Sequence, residues 1–340
     1  MSTLPSFSFT TTAEEVATTF SDEIKGKNGT LTVIVLLPYQ LPPVLITGTS
    51  IDGIGFETAR VIAKYAKLVV ITGYNEERLK LSEDAIKKDV PNANIHCLIL
   101  DLTSFASIRK AAEIVNTNPE PLHVLINNAA ASFAEFRLTE DGLETQLATD
   151  HIGPFLFTKL LSPKVLAAAT PTYTPRVVFV SSEAHGFFGT GVDFEALTNP
   201  DPEKYVKLNA YSQAKSANIL TAIELSKRSK GKINAYSLHP GGIYTNIYEK
   251  EDSIPVLQAL GVLLPDGKPN TARGQWKTIP QGAATTVAAA FDPRLNDKPG
   301  AYLNNCVVAN EKVAAHSSDP VIAEKLWTVS EKLIGEAFTF

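Results

Sequence analysis

From Val44 onward, short apolar runs alternate with longer stretches of helical periodicity, and no other feature limits the fold of this chain so strongly. Seven runs read as strands: Val44 to Thr47, Leu68 to Thr72, Ile95 to Leu100, Val124 to Asn127, Val177 to Ser181, Ile233 to Leu238 and Tyr302 to Val308. Amphipathic segments separate most of them. Strands joined by helical crossovers pair in parallel, and the crossovers cover both faces of the sheet. The expected fold is therefore α/β: a single Rossmann-type, doubly wound domain with a seven-stranded parallel sheet and helices on both faces. Ligands of such sheets bind outside the carboxyl ends of the strands, where the strand order reverses.

The loops after the first two strands carry the first candidate ligand residues. The stretch Thr47-Gly48-Thr49-Ser50-Ile51-Asp52-Gly53-Ile54-Gly55 follows the first strand and runs into a helix near Ile54. Glycines there let the backbone turn and approach a pyrophosphate, which would sit on the free amides and positive end of the helix. The candidate contacts are Gly48, Ser50, Gly53, Ile54 and Gly55. The second strand ends in Ile71-Thr72-Gly73-Tyr74-Asn75. A carboxylate at this place would accept from the ribose 2′-hydroxyl of NAD, and a cation would accommodate the 2′-phosphate of NADP. Gly73 and Tyr74 supply neither, which removes the NAD anchor and favours NADP over NAD. Arg78 either reaches back to the phosphate or stays solvated.

A second pattern is Tyr211 with Lys215 in Asn209-Ala-Tyr-Ser-Gln-Ala-Lys215. On a helix the two lie on one face, a turn apart, where a cation stabilises a phenolate and draws the phenol's pKa down from about 10. That makes an acid/base of Tyr211 near neutral pH. The same spacing also occurs on solvated helices with no role.

These motifs, in this order, resemble those of the short-chain dehydrogenase/reductase family. The similarity is greatest to its retinol-dehydrogenase-like and WW-domain-oxidoreductase-like members found in fungi, and it runs from Val44 to about Gly335. Thr47-Gly48 with Gly53 and Gly55 resembles the family's phosphate loop, although four residues stand between Gly48 and Gly53 where the common form has three. The resemblance implies that Asp101 and Leu102 receive the adenine and that Asn127-Asn128-Ala129-Ala130 lies beside the adenosine ribose. It also implies that Pro240, Gly241, Ile243 and Thr245 hold the nicotinamide carboxamide. Ser182 would join Tyr211 and Lys215 as the catalytic set. Asp150 stands where the family usually has an asparagine that orients a water in the proton relay. It either accepts from that water while opposing the pull of Lys215 on Tyr211, or simply caps or kinks its helix.

The implied activity is an NADP-dependent interconversion of an alcohol and a carbonyl. Alternatives are reduction of an activated carbon–carbon double bond or a catalytically silent cofactor-binding regulator. Residues 246–280 mix Ile254, Val256, Leu257, Leu260, Leu263 and Leu264 with Gly and Pro, as in a substrate lid, and Phe187-Phe188 and Phe194 add apolar wall. The substrate expected is a lipophilic or aromatic small molecule, as in a tailoring step of secondary metabolism. His185, beside Ser182, either touches substrate or packs in its turn.

Composition sets the remaining bounds. A net charge of -5 over 340 residues and the lack of a basic run argue against a nucleic-acid surface. Cys97 and Cys306 form no metal-ligand spacing, so no metal is expected, and they suggest a reducing compartment. The first residues show no basic and apolar signal pattern, and no apolar run approaches the ~20 residues of a membrane span. A cytoplasmic protein is expected. Residues 1–43 read as an N-terminal extension, with a helix from about 12 to 24 opened by the capping-box residues Thr12 and Glu15. Residues 29–43 then read as an edge strand, an irregular loop or an unspliced insertion, since their removal joins Gly26-Lys-Asn28 to Val44-Leu-Ile-Thr-Gly48. The apolar stripe Ile322, Leu326, Trp327 and Ile334 packs on the domain or forms a homo-oligomer interface.

Overall fold

A computed structural model describes residues 4–25, 43–187, 191–246, 248 and 253–340. The apolar run Leu31 to Leu37 and Phe188 lie outside these residues. Eight strands form one sheet in the order β3-β2-β1-β4-β5-β6-β7-β8. They are β1 (Pro43–Ile46), β2 (Leu68–Gly73), β3 (Ile95–Ile99), β4 (Val124–Asn127), β5 (Arg176–Val180), β6 (Asn234–His239), β7 (Tyr302–Asn304) and β8 (Val307–Val308). Pro43, expected in the irregular segment, is the first residue of β1, a strand position where the missing N–H is tolerated.

The main helices are α1 (Ala13–Thr19), α2 (Ser21–Lys25), α3 (Ile54–Ala63), α4 (Glu76–Asp89) and α5 (Phe105–Thr117). They continue with α6 (Gly153–Leu166), α7 (Lys207–Arg228), α8 (Ile279–Phe291) and α9 (Pro320–Ile334). Strand residues alternate between two cores, as a period of two requires. Val44, Ile46, Val124, Ile126, Val178 and Val180 share one core with α1, α3 and α8. Leu45, Leu125, Val177 and Phe179 share the other with α5, α6, α7 and α9. The stripe on α9 is thus core: Leu326 and Trp327 are buried against Phe155 and Phe338.

Two expectations are corrected. The sheet is mixed, because the run from Tyr302 to Val308 folds back on itself: Leu303 pairs with Val308 and Asn304 with Val307, antiparallel. Asn305 and Cys306 both take positive φ, 52° and 66°, the conformation a two-residue hairpin needs. Asn305 tolerates that conformation, but with cysteine rather than glycine after it the turn signal in the sequence is weak. The helix from 12 to 24 is also two pieces, broken at Phe20, whose N–H bonds back to Val16 and Thr18. Its start is as expected, with Thr12 and Glu15 forming the capping box.

Candidate active site

The strand order reverses between β1 and β4, and the glycine loop and the Asn127-Asn128 turn meet at that point. Thr47 ties them together. Its hydroxyl accepts from the amides of Asn128 (2.9 Å) and Ala129 (3.0 Å). Asn128 in turn donates to the carbonyls of Thr47 (2.9 Å) and Gly48 (3.0 Å). Gly48 has φ +67°, and a Cβ on it would stand 2.6 Å from Ala129 Cα. A Cβ on Gly55 would strike Asn128 Nδ2 and the Gly48 carbonyl. The extra loop residue is absorbed by Asp52, which adopts the left-handed region at φ 61°, so that Gly53 N–H still reaches Ser50 O at 3.1 Å. Gly53 is the N-cap of α3 and makes no side-chain cap, so the first amides of that helix are not met by a capping side chain. This cradle fits a dinucleotide phosphate.

We expect Gly55→Ala to destabilise the fold by roughly 1–3 kcal/mol, the usual penalty for overpacking, and to weaken dinucleotide binding. Thermal unfolding and a fluorescence titration with NADPH measure the two effects.

Around the cradle, Asp101 accepts from the amide (2.9 Å) and hydroxyl (2.6 Å) of Thr103. Leu102 packs beneath the start of α6, where its carbonyl leaves no room for a side chain on Gly153. Tyr74, 70% exposed, stands at the end of β2. Asn75 caps α4, and Arg78 makes no ion pair among the described residues. On the other side of the reversal, Pro240 and Gly241 (φ +110°) follow β6. Ile243 is buried in a bridge to Lys277 and Thr245 is buried beside it. Gly282 of α8 makes room for Ile243, whose Cγ1 would lie 2.6 Å from a Cβ there.

Ser182 lies just past the end of β5, its hydroxyl accepting from Ala184 N–H at 3.2 Å. Tyr211 and Lys215 lie on α7, as their spacing predicts, with the Lys215 ammonium 5.3 Å from the Tyr211 ring centre. Lys215 is 2% exposed and donates to Val180 O at 3.3 Å. Asp150 reaches the same ammonium: its Oδ2 lies 3.0 Å from Lys215 Nζ, and its Oδ1 accepts from Ala131 N–H at 2.6 Å. The carboxylate sits in a π-helical turn, Ala148–Ile152, that leads into α6. Such turns are frequent at functional sites because they re-aim side chains.

The electrostatics differ from the sequence expectation. The Tyr211 phenol is pushed above its ordinary range, chiefly by burial and further by the Asp150 charge, while a Ser182 hydrogen bond pulls the other way. In this arrangement the neutral phenol is favoured over the phenolate.

Phe133, Tyr248, Ser253 and Trp276 carry no sequence signal of a role here, whereas Leu257 and Leu263 belong to the expected lid. Phe133 holds φ 52°, a strained value for a bulky residue, and its ring centre lies 5.0 Å from that of Tyr211. With Leu257, Leu263, Tyr248 and Trp276 it forms an apolar wall against Tyr211. Ser253 anchors the residues that bear Leu257 and Leu263 by donating to Ser132 O at 2.9 Å. His185 is buried in its turn and bonded to the Ser182 carbonyl at 2.6 Å. No group of residues suited to a metal occurs among the described residues. No described helix is long and apolar enough to cross a membrane.

A dinucleotide cradle at the reversal point, with Ser, Tyr and Lys beyond it, defines a class that the comparisons also identify. The short chain dehydrogenase family model matches residues 43–192. The chain belongs to the short-chain dehydrogenase/reductase family, whose members are nicotinamide-dinucleotide-dependent oxidoreductases of small organic molecules. It is 38% identical over 301 residues to the chloroplastic short-chain dehydrogenase TIC 32 A of Brassica napus, covering 87% of this chain and 89% of that one. To the WW domain-containing oxidoreductase of Danio rerio it is 36% identical over 321 residues, 92% of this chain and 73% of that one. Among solved structures, an uncharacterized protein from Mycobacterium paratuberculosis superimposes with a TM-score of 0.65 at 27% identity, covering 88% of this chain and 96% of the other.

Proposed function

We propose that this protein is an NADP-dependent oxidoreductase, of the retinol-dehydrogenase-like and WW-oxidoreductase-like kind, interconverting an alcohol and a carbonyl on a lipophilic or aromatic small molecule. The observation that carries the reading is the meeting of Ser182, Tyr211 and Lys215 beneath an aromatic wall, at the strand ends beside the glycine cradle. Gly48, Ser50, Gly53, Ile54 and Gly55 would hold the pyrophosphate. Asp101, Leu102 and Asn128 would hold the adenosine, and Pro240, Gly241, Ile243 and Thr245 the nicotinamide end. When bound, the nicotinamide supplies or accepts the hydride.

The chain's own groups do the rest. Ser182 Oγ positions the carbonyl oxygen, and the Tyr211 phenol, protonated as its burial favours, donates the proton to that oxygen as the carbon is reduced. In the oxidative direction the phenolate takes the proton back. Lys215 would hold the nicotinamide ribose and steady the phenolate. Phe133, Tyr248 and Trp276 would exclude water and favour an apolar, planar substrate, one that suits a tailoring step in secondary metabolism.

The absence of a carboxylate at Gly73 and Tyr74, with Arg78 outside any described ion pair, supports NADP over NAD. Titration should show NADPH binding at least about tenfold more tightly than NADH, the effect of one charge-assisted contact. Arg78→Ala should narrow that ratio, and equal binding of the two would overturn the preference. A panel of aromatic and long-chain aldehydes and ketones tests the reaction. Tight NADPH binding without turnover of any member would instead favour a silent regulator, the reading that Asp150's hold on Lys215 supports.

A further inference from the structure

The N-terminal arm ahead of α1 runs along α8 from its end to its start. Arg294 Nη1, just past α8, donates to Pro5 O at 3.0 Å, and Gln281 Nε2, in its first turn, donates to Thr10 O at 3.2 Å. The other end of the Gln281 amide accepts from Thr278 N–H at 2.9 Å, in the capping box that opens α8. Immediately before that box stands Lys277. Its N–H donates to Gly242 O at 2.8 Å, and it bridges to Ile243. Its stem lies against Gly241, where a Cβ would stand 2.7 Å from Lys277 Cδ. Backbone and stem of one residue thus back Gly241, Gly242 and Ile243 together.

The end of that stem has no polar partner. Lys277 is 4% exposed, and its Nζ is buried without a hydrogen bond among the described residues. Burial holds the ammonium below the usual lysine range, and Cys306 and Glu183 offset this only in part. Sealed from solvent, Nζ takes no ligand. A buried ammonium without acceptors is costly, so other contacts must keep it from turning out to water. The Phe9 ring supplies one: its centre lies 4.9 Å from Nζ, within reach of a cation–π contact, which is strongest where the cation is desolvated.

We propose that the N-terminal arm belongs to the cofactor site: Phe9 keeps Lys277 folded in, and Lys277 is a positioning residue that holds the backbone of Gly241 to Ile243 in the shape that receives the nicotinamide, given the role proposed above for Pro240, Gly241, Ile243 and Thr245. Without Phe9 the ammonium gains water by swinging out, and the stem leaves Gly241 with it. Glycine has no side chain to fill the gap, and its backbone is free to relax into it. The adenosine end of the cleft, across the strand reversal, is untouched.

NADPH and 2′-phospho-ADP-ribose, which lacks only the nicotinamide, are titrated by calorimetry into the full-length protein. The parent should bind NADPH the more tightly. Phe9→Ala and Lys277→Ala should each weaken NADPH about tenfold, the scale of one desolvated cation–π contact, and leave 2′-phospho-ADP-ribose within about twofold of the parent. Lys277→Met keeps a stem and has no ammonium to draw out. It should restore the NADPH affinity lost in Lys277→Ala, and Phe9→Ala added to it should cost nothing further. General loosening of the N-terminus would instead weaken both ligands and persist beside Lys277→Met. Thermal unfolding establishes that each variant is folded, and Phe9→Leu, which keeps an apolar cover without a π face, serves if Phe9→Ala is not. The proposal is overturned if the folded Phe9 variant binds NADPH as the parent does, if both ligands weaken alike, or if the parent binds the two equally. A parent that binds neither ligand would overturn the cofactor reading itself, and this proposal with it.

Discussion

Tyr211→Phe should lower turnover by about 10²–10⁴-fold, the range spanned by loss of a general acid, while NADPH binding stays within a few-fold of the parent. The substitution removes one oxygen and leaves the ring packed 5.0 Å from Phe133, so the apolar wall and α7 should hold. Structural damage would appear as a lower melting temperature and weaker cofactor binding; loss of the proton donor would not. The phenol is partly buried and hydrogen-bonded to Ser182, so its removal should change stability by no more than about 1 kcal/mol. Activity retained at the parent level would sink the assignment of Tyr211 as acid. Measuring reduction and oxidation separately sharpens the test, because the same group serves both directions and both rates must fall together.

The parts of this fold legible in the sequence are those that obey a period. The alternation of apolar runs placed β1 to β6 within a residue or two, since parallel strands are mostly covered on both faces and so mostly apolar, the edge strand β3 with its exposed His96 and Cys97 being the exception. The Tyr211 and Lys215 pair was legible because one helical turn separates them. The glycine loop was legible as a loop, but not the way it absorbs its extra residue, because Asp52 takes a conformation that a sequence does not mark. The β7–β8 hairpin was only weakly marked, its turn being built from Asn305 and Cys306. Phe133 shows the limit most clearly. Its place against Tyr211 depends on a left-handed backbone and on contacts with residues more than a hundred positions away, such as Leu257 and Leu263. Strain of this kind persists only where surrounding structure over-determines it, and it clusters at functional sites.

Asp150→Asn should move the pH dependence of the reaction downward. The Asp150 charge is one of the two causes that raise the Tyr211 phenol, and its Oδ2 holds the Lys215 ammonium at 3.0 Å. Replacing the carboxylate with a neutral amide removes the first effect and weakens the second, so the folded-state pKa of Tyr211 falls. Oxidation, which needs the phenolate, should then reach its plateau at lower pH and run faster at neutral pH. Reduction, which needs the phenol, should lose activity at a lower pH than in the parent. The two limbs must shift in the same direction, which separates a change in the tyrosine's field from general damage that would depress both rates at every pH. Stability should also fall, because Lys215 stays buried with a weaker partner. The loss should be smaller than the about 3–5 kcal/mol of breaking a buried pair outright, since the amide oxygen can still accept from Lys215 or from Ala131 N–H. An unchanged pH profile with lowered stability would make Asp150 a structural counter-ion to Lys215 and remove it from the proton chemistry.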